Sequence, residues 1–207
     1  MDWEAAFLLY IQENIRSDML TQLLTTLTHT GDKGLIWIAI CILMVIIPKT
    51  RRFGIIAGSS LALEAIIVNV FIKNAVARTR PYEAIEGLVS LVEKQVDYSF
   101  PSGHTGAAFA VAGAFLVIAI AGLPVIVKSG IISRTKTSLA YKIFTAISIV
   151  FAFVIAFSRL YVGVHYPTDV LGGFIIGIAT SIITYFGYQI VIKKYSMRKT
   201  KEKAVSK

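Results

Sequence analysis

Two histidines, an aspartate and four basic side chains stand in three short polar clusters of a largely apolar chain. The first cluster runs from Lys73 through Arg78 to Arg80-Pro81, the second is Pro101-Ser102-Gly103-His104, and the third runs from Ser158-Arg159 through His165 and Pro167 to Asp169. Lys73 and Arg80 are seven apart, so a continuous helix would set them on one face two turns apart, with Pro81 stopping that helix just after Arg80. Ser102 and Gly103 suit a tight turn at a helix start, where unpaired N–H groups and the positive dipole end favour an anion. His165 and Asp169 are four apart across a turn, and Pro167 suits the first turn of the next helix.

Each cluster alone has an ordinary explanation. Lysine and arginine snorkel at the ends of spans, a Ser-Gly turn caps a helix, and an aspartate suits a helix N-terminus. Together they are a set of cations, two histidines, an aspartate and an N–H-rich turn. Such a set fits phosphoryl transfer, in which positioning and electrostatics carry most of the catalysis. Arg78 reads as an interfacial anchor beside them.

The elements that must position these residues are membrane spans. The chain has 207 residues, more than half of them apolar, and spanning a bilayer takes roughly 20 apolar residues. Apolar runs lie near 35–48, 53–77, 104–123, 141–161 and 168–192. The expected fold is therefore all-α, a polytopic transmembrane helical bundle with five clear spans. Residues 1–34 add an N-terminal interfacial helix or a partial sixth span. Residues 35–192 form the membrane domain and 193–207 a basic tail.

The net charge of +9 is uneven. Lys49, Arg51 and Arg52 mark one loop, Lys128, Arg134 and Lys136 another, and the tail after Lys193 is basic, whereas Glu83, Glu86, Glu93 and Asp97 outnumber Lys94 in loop 82–100. The positive-inside rule then places the basic loops and tail in the cytoplasm, and the three polar clusters on the outer face. On this reading the tail is a juxtamembrane flank and not a nucleic-acid arm, and the partners are the bilayer and a lipid substrate. The pairs Gly54/Gly58, Gly106/Ala110 and Gly173/Gly177 suit close helix approach, and oligomeric state stays open. Cys41, the single cysteine, allows no intramolecular disulfide and no cysteine-based metal cluster. The acids of the outer loop lack ligand spacing, so no metal or other cofactor is expected.

Lys73-x6-Arg80-Pro81, Pro101-Ser102-Gly103-His104 and Ser158-Arg159-x5-His165-x3-Asp169, in this order, resemble the three signature motifs of the type-2 phosphatidic acid phosphatase superfamily, whose relatives include bacterial lipid phosphatases and vanadium-dependent haloperoxidases. The resemblance spans residues 73–169, and every position of the pattern is filled. It implies a metal-independent lipid phosphatase. His165 would attack phosphorus to give a phosphohistidine, Asp169 would orient it, and His104 would protonate the leaving oxygen and then help activate water. Lys73, Arg80, Ser102, Gly103 and Arg159 would bind the phosphate.

The compact chain, outward site and short loops are similar to bacterial undecaprenyl-diphosphate phosphatases of the bacitracin-resistance type. Phosphatidylglycerophosphate, phosphatidic acid and diacylglycerol diphosphate remain alternative substrates. A non-catalytic transporter or scaffold is the reading of a different class, and it would not need the His104, His165 and Asp169 trio. Glu64, ionisable within a span, would face the lipid groove or pair internally. Asn69 reads as an interhelical hydrogen bond, and His29 as a loop residue without a role.

Arg159 can chelate two oxygens where a lysine offers a point charge. Arg159→Lys should therefore lower kcat/KM on a lipid phosphate by about 10²–10³-fold; undiminished turnover would remove Arg159 from the site.

Overall fold

The computed structural model describes residues 2–126 and 132–205. Helix α1 (Trp3–Tyr10) widens into a π-turn at Ile11–Ile15 and is followed by α2 (Asp18–Thr30). A tight turn over Asp32–Gly34 leads into α3 (Leu35–Ile46). Helix α4 (Arg51–Ile66) passes through a second π-turn, Ile67–Ile72, into α5 (Lys73–Val76), and α6 (Pro81–Ala84) is one short turn. A long irregular segment then reaches α7 (Gly103–Ala121), α8 (Leu139–Tyr161) and α9 (Pro167–Val205).

Four of the described helical stretches are long and apolar enough to cross a membrane: Arg51–Ala84, Gly103–Ala121, Leu139–Tyr161 and Pro167–Arg198. A fifth results if α2 and α3, bent by 44° at their break, form one broken span. The multi-span bundle is as the sequence leads one to expect, and the N-terminal region is helical.

Helix α7 is the axis of the bundle. It is apolar all round, as a helix enclosed by other helices must be, and α9, α8 and α4 pack around it. Its ends are set locally: the Ser102 hydroxyl caps the start by accepting from the Thr105 N–H, and Gly122, with φ of 81°, closes the end. Ser138 caps α8 in the same way. Large apolar side chains such as Ile55, Ile147, Val150 and Ile183 are exposed on the outer helices, where lipid would meet them.

The small residues work within the chain. A Cβ on Gly173 would stand 2.5 Å from the Ser102 carbonyl oxygen, and one on Gly177 would stand 2.6 Å from that of Gly106. Both helix backbones therefore touch, and α9 is pressed against the start of α7.

Three local expectations change. Lys73 and Arg80 do not share one helix: Ala77 adopts a left-handed conformation that ends α5, Arg80 is extended as a residue before proline must be, and Pro81 opens α6 instead of closing a helix. The segment after α7 carries an antiparallel hairpin, β1 (Leu123–Ile126) with β2 (Ile132–Thr135); Lys128 lies outside the described residues. Helix α9 continues without a break past Lys193 to Val205, since neither glycine nor proline interrupts that lysine-rich stretch. Ser206 and Lys207 lie outside the described residues.

Gly173→Val should push α9 from α7 and lower the thermal midpoint in detergent, as overpacking costs about 1–3 kcal/mol. Gly187→Val is the control, because a Cβ there meets nothing within 4 Å. Equal midpoints for the two variants would show that the close approach is dispensable.

Candidate active site

A cavity of about 780 Å³ opens at the end of the bundle where the three motifs meet. Its polar end is lined by Lys73, Arg80, Asp97, His104, Arg159 and His165, and its apolar end by Ile38, Cys41, Ile42, Leu61, Ala62 and Ala65. A headgroup and the first part of an acyl or prenyl chain differ in the same sense. The volume is within the usual range for ligand sites, about 300–1,000 Å³.

The three cations arrive from separate elements. Lys73 follows the π-turn at the end of α4 and is 5% exposed. Arg80, 3% exposed, donates to the carbonyl oxygens of Asp97 (2.9 Å) and Val164 (3.0 Å). Its Nη1 also lies 3.3 Å from His165 Nε2. Arg159, at the end of α8, donates from Nη1 to Thr28 Oγ1 (2.6 Å), while its buried Nε has no hydrogen-bond partner among the described residues. Leaving such a donor unpaired costs about 1–3 kcal/mol.

Asp97 indicates how such an anion is held. One of its carboxylate oxygens lies 2.5 Å from Arg80 Nη2 and the other pairs with Lys73 Nζ. Partial burial alone would raise its carboxyl, but the hydrogen bonds and charges of Lys73 and Arg80 outweigh that and hold it below the usual carboxylate range.

His165 lies in the turn between α8 and α9 and is 2% exposed. Burial pushes its imidazole down to about 3; Asp169 opposes this, while the charges of Arg80 and Arg159 add to it. At neutral pH the ring is therefore uncharged and keeps a lone pair for attack. Its Nδ1 is 3.5 Å from Asp169 Oδ2, near enough for attraction but long for a hydrogen bond, and it makes none.

Asp169, in the first turn of α9, is fixed from several sides. Its Oδ2 accepts from Ser99 Oγ (2.5 Å) and from the Tyr166 N–H (2.8 Å), and its Oδ1 from Arg78 Nη1 (2.7 Å). Arg78 is thus no lipid anchor: it lies 3.7 Å from the Tyr166 ring centroid and its Nη2 also binds Glu4 Oε2 at 2.6 Å. Glu4 in turn accepts from the Thr168 N–H and hydroxyl. The Thr168 contacts and Arg78 outweigh burial and hold the Glu4 carboxyl below its ordinary value.

His104 lines the cavity at the start of α7, with Nε2 3.0 Å from Asp32 Oδ1. Gly103 lines it as well. Ser102 does not: it is fully buried, and its hydroxyl serves the Thr105 N–H and Oγ1. Glu64 lines the cavity, is 2% exposed, and its Oε1 has no hydrogen-bond partner among the described residues. Asn69 also lines the cavity, but it bonds the Ala65 carbonyl of its own helix and not another helix. His29 is bound to Asp32.

Sequence reading missed Glu4, Thr28, Asp32 and Ser99 and underrated Arg78. One signal was available: Glu4 is an acid in an apolar helix, which needs a partner. Among the described residues no three His, Cys, Asp or Glu side chains gather where they could hold a metal ion.

The model of the PAP2 superfamily matches residues 53–192. The chain is 31% identical over 155 residues to an undecaprenyl-diphosphatase of Sulfolobus acidocaldarius, covering 75% of this chain but only 63% of that protein's length. It is 28% identical over 189 residues to phosphatidylglycerophosphatase B of Bacillus subtilis, covering 89% and 82% of the two chains. The crystal structure of a transmembrane PAP2-type phosphatidylglycerolphosphate phosphatase from Bacillus subtilis superposes with a TM-score of 0.63 at 25% identity, covering 94% and 85%.

Arg78 does not line the cavity, so Arg78→Gln should act through Asp169. We expect kcat to fall by up to about 10²-fold, the cost of a small misplacement, with KM little changed. A rise in KM with kcat intact would instead make Arg78 a substrate contact.

Proposed function

Because the chain belongs to the PAP2 superfamily, we propose that it is a membrane lipid phosphatase that removes the terminal phosphate of a lipid phosphate or diphosphate. The observation that carries this reading is the pairing of an uncharged buried histidine with three buried cations, one of which has a donor without a partner among the described residues. An anion binder would use the cations but has no need of His165 in its neutral form.

The proposed reaction has two halves. Two phosphoryl oxygens take the positions that the Asp97 oxygens occupy on Lys73 and Arg80, and a third reaches Arg159, near the N–H end of α7 at Gly103. Ser102 contributes by capping that helix end. The lone pair of His165 Nε2 attacks phosphorus, the lipid oxygen leaves with the electron pair of the broken P–O bond, and His104 protonates it. Asp169 holds the ring of His165 and stabilises its positive charge as the phosphohistidine forms. Water, deprotonated by His104, then releases phosphate.

The distribution of Lys and Arg supports an outer-face site and a cytoplasmic C-terminal extension in the cell membrane, with five spans if α2 and α3 cross together. The apolar half of the cavity supports sideways entry of a lipid from the bilayer. Undecaprenyl diphosphate is the substrate we favour, from the relative in Sulfolobus acidocaldarius. The likeness to the Bacillus subtilis protein over more of both chains keeps phosphatidylglycerophosphate as the second reading.

Phosphate release from a panel of defined lipid phosphates, with chelator present, tests both parts. We expect turnover that chelator does not reduce and that His165→Ala abolishes. Chelator-sensitive release would overturn the metal-free mechanism, and a fully active His165→Ala protein would overturn the nucleophile. The ranking of undecaprenyl diphosphate against phosphatidylglycerophosphate decides the substrate.

A further inference from the structure

The proposed acid, His104, is held by a residue outside every motif and outside the family match. Asp32 lies in the tight turn between α2 and α3, whereas the match begins at residue 53. Lys33 and Gly34 both take positive φ there, 52° and 70°, which reverses the chain sharply beside α7. Asp32 Oδ1 is 3.0 Å from His104 Nε2, and its Oδ2 is 2.9 Å from His29 Nδ1. The neighbouring Gly31 leaves room for the ring, since a Cβ there would stand 3.0 Å from His104 Cδ2.

The Asp32 side chain is 46% exposed. Water could solvate it fully, and a surface ion pair at such exposure contributes little to stability. Both its oxygens nevertheless engage imidazoles, and the site side of the pair is the 14% exposed His104. The other charges acting on His104 are cationic: Arg159 from α8 and Lys73 from α5. Glu64 from α4 abuts the same helix at Gly106. Two cations beside an imidazole that must carry a proton oppose its task, and Asp32 is the carboxylate bonded to the ring against them.

We propose that Asp32 is a positioning residue for His104, forming with it a second carboxylate–histidine pair that faces the His165–Asp169 pair across the cavity. The inference rests on the phosphatase reading. Asp32 keeps the proton on Nε2 and leaves Nδ1, which has no hydrogen-bond partner among the described residues, to exchange protons with substrate. When the P–N bond to His165 forms and the P–O bond breaks, the lipid oxygen keeps the electron pair and takes the proton from Nδ1. In the second half Nδ1 accepts a proton from water as its oxygen attacks phosphorus and the P–N electron pair returns to His165. Asp32 stays ionised throughout, and His29 holds its second oxygen.

Leaving-group dependence separates this role from a structural one. An alkoxide needs its proton far more than a nitrophenolate does. The probes are a dialkylglycerol monophosphate and 4-nitrophenyl phosphate, each in detergent micelles. Asp32→Asn, which keeps the shape and removes the charge, should lower kcat on the alkyl ester by about 10- to 100-fold. On the aryl ester the loss should stay within about 3-fold, with KM unchanged on both. Asp32→Glu should recover part of the loss. Added to His104→Ala, Asp32→Asn should cost nothing further, because the two act as one unit. Equal losses on both esters, or no loss on either, would overturn the proposal. Wild-type protein that hydrolyses neither ester would overturn the phosphatase reading and this inference with it.

Discussion

The constraint on which the structure turns is the gathering of three nearly buried positive charges around one cavity. Lys73, Arg80 and Arg159 are each at least 95% buried, and an isolated charge in a low-dielectric interior costs several kcal/mol even after relaxation, roughly as in other buried ions. The chain answers with carboxylates delivered from elsewhere: Asp97 from the long loop to Lys73 and Arg80, and Asp32 near Arg159. Compensation is incomplete by design of the geometry. Arg159 keeps its buried Nε without a hydrogen-bond partner among the described residues.

The second requirement is rigidity around that charge. The α7–α9 contact, with backbone against backbone at Gly173 and Gly177, fixes the helix that starts at Gly103 relative to the helix that carries Asp169. The Ser102 N–H donates to the Asp169 carbonyl at 3.0 Å, so the second and third motifs are joined by main chain as well as by side chains. Electrostatic preorganisation of this kind costs no rearrangement when the reaction occurs. The apolar half of the cavity, between α3 and α4, sets no such demand, in keeping with a tail that is held by area and not by direction.

Four of the expected spans and the motif residues were legible in the sequence because both are local signals, whereas the run at 35–48 reaches span length only together with α2. An apolar run of span length needs no partner to be recognised, and the three motifs have fixed internal spacing. What stayed hidden was pairing across distance. Glu4 with Arg78, Asp32 with His104 and Asp97 with Lys73 join residues from different elements, and no periodicity marks a Coulomb pair. Local backbone rules also failed at one place: Ala77 adopts a left-handed conformation that favours glycine, and sequence alone suggested an unbroken helix from Lys73 to Arg80. The hairpin after α7 leaves little trace in the sequence, since two four-residue strands carry little alternation. In each case tertiary packing overrode a weak local preference.

The Glu4 clasp has a consequence for biogenesis. Glu4 and Thr168 lie 164 positions apart, so α1 must wait for the beginning of α9. Contacts of such separation form late, after the loop between them has closed. Arg78 and Asp169 cannot be locked together until then, and the surroundings of His165 are completed only once α9 is in place. A partly inserted chain would expose its cations to the membrane surface before His165 and Asp169 are held side by side.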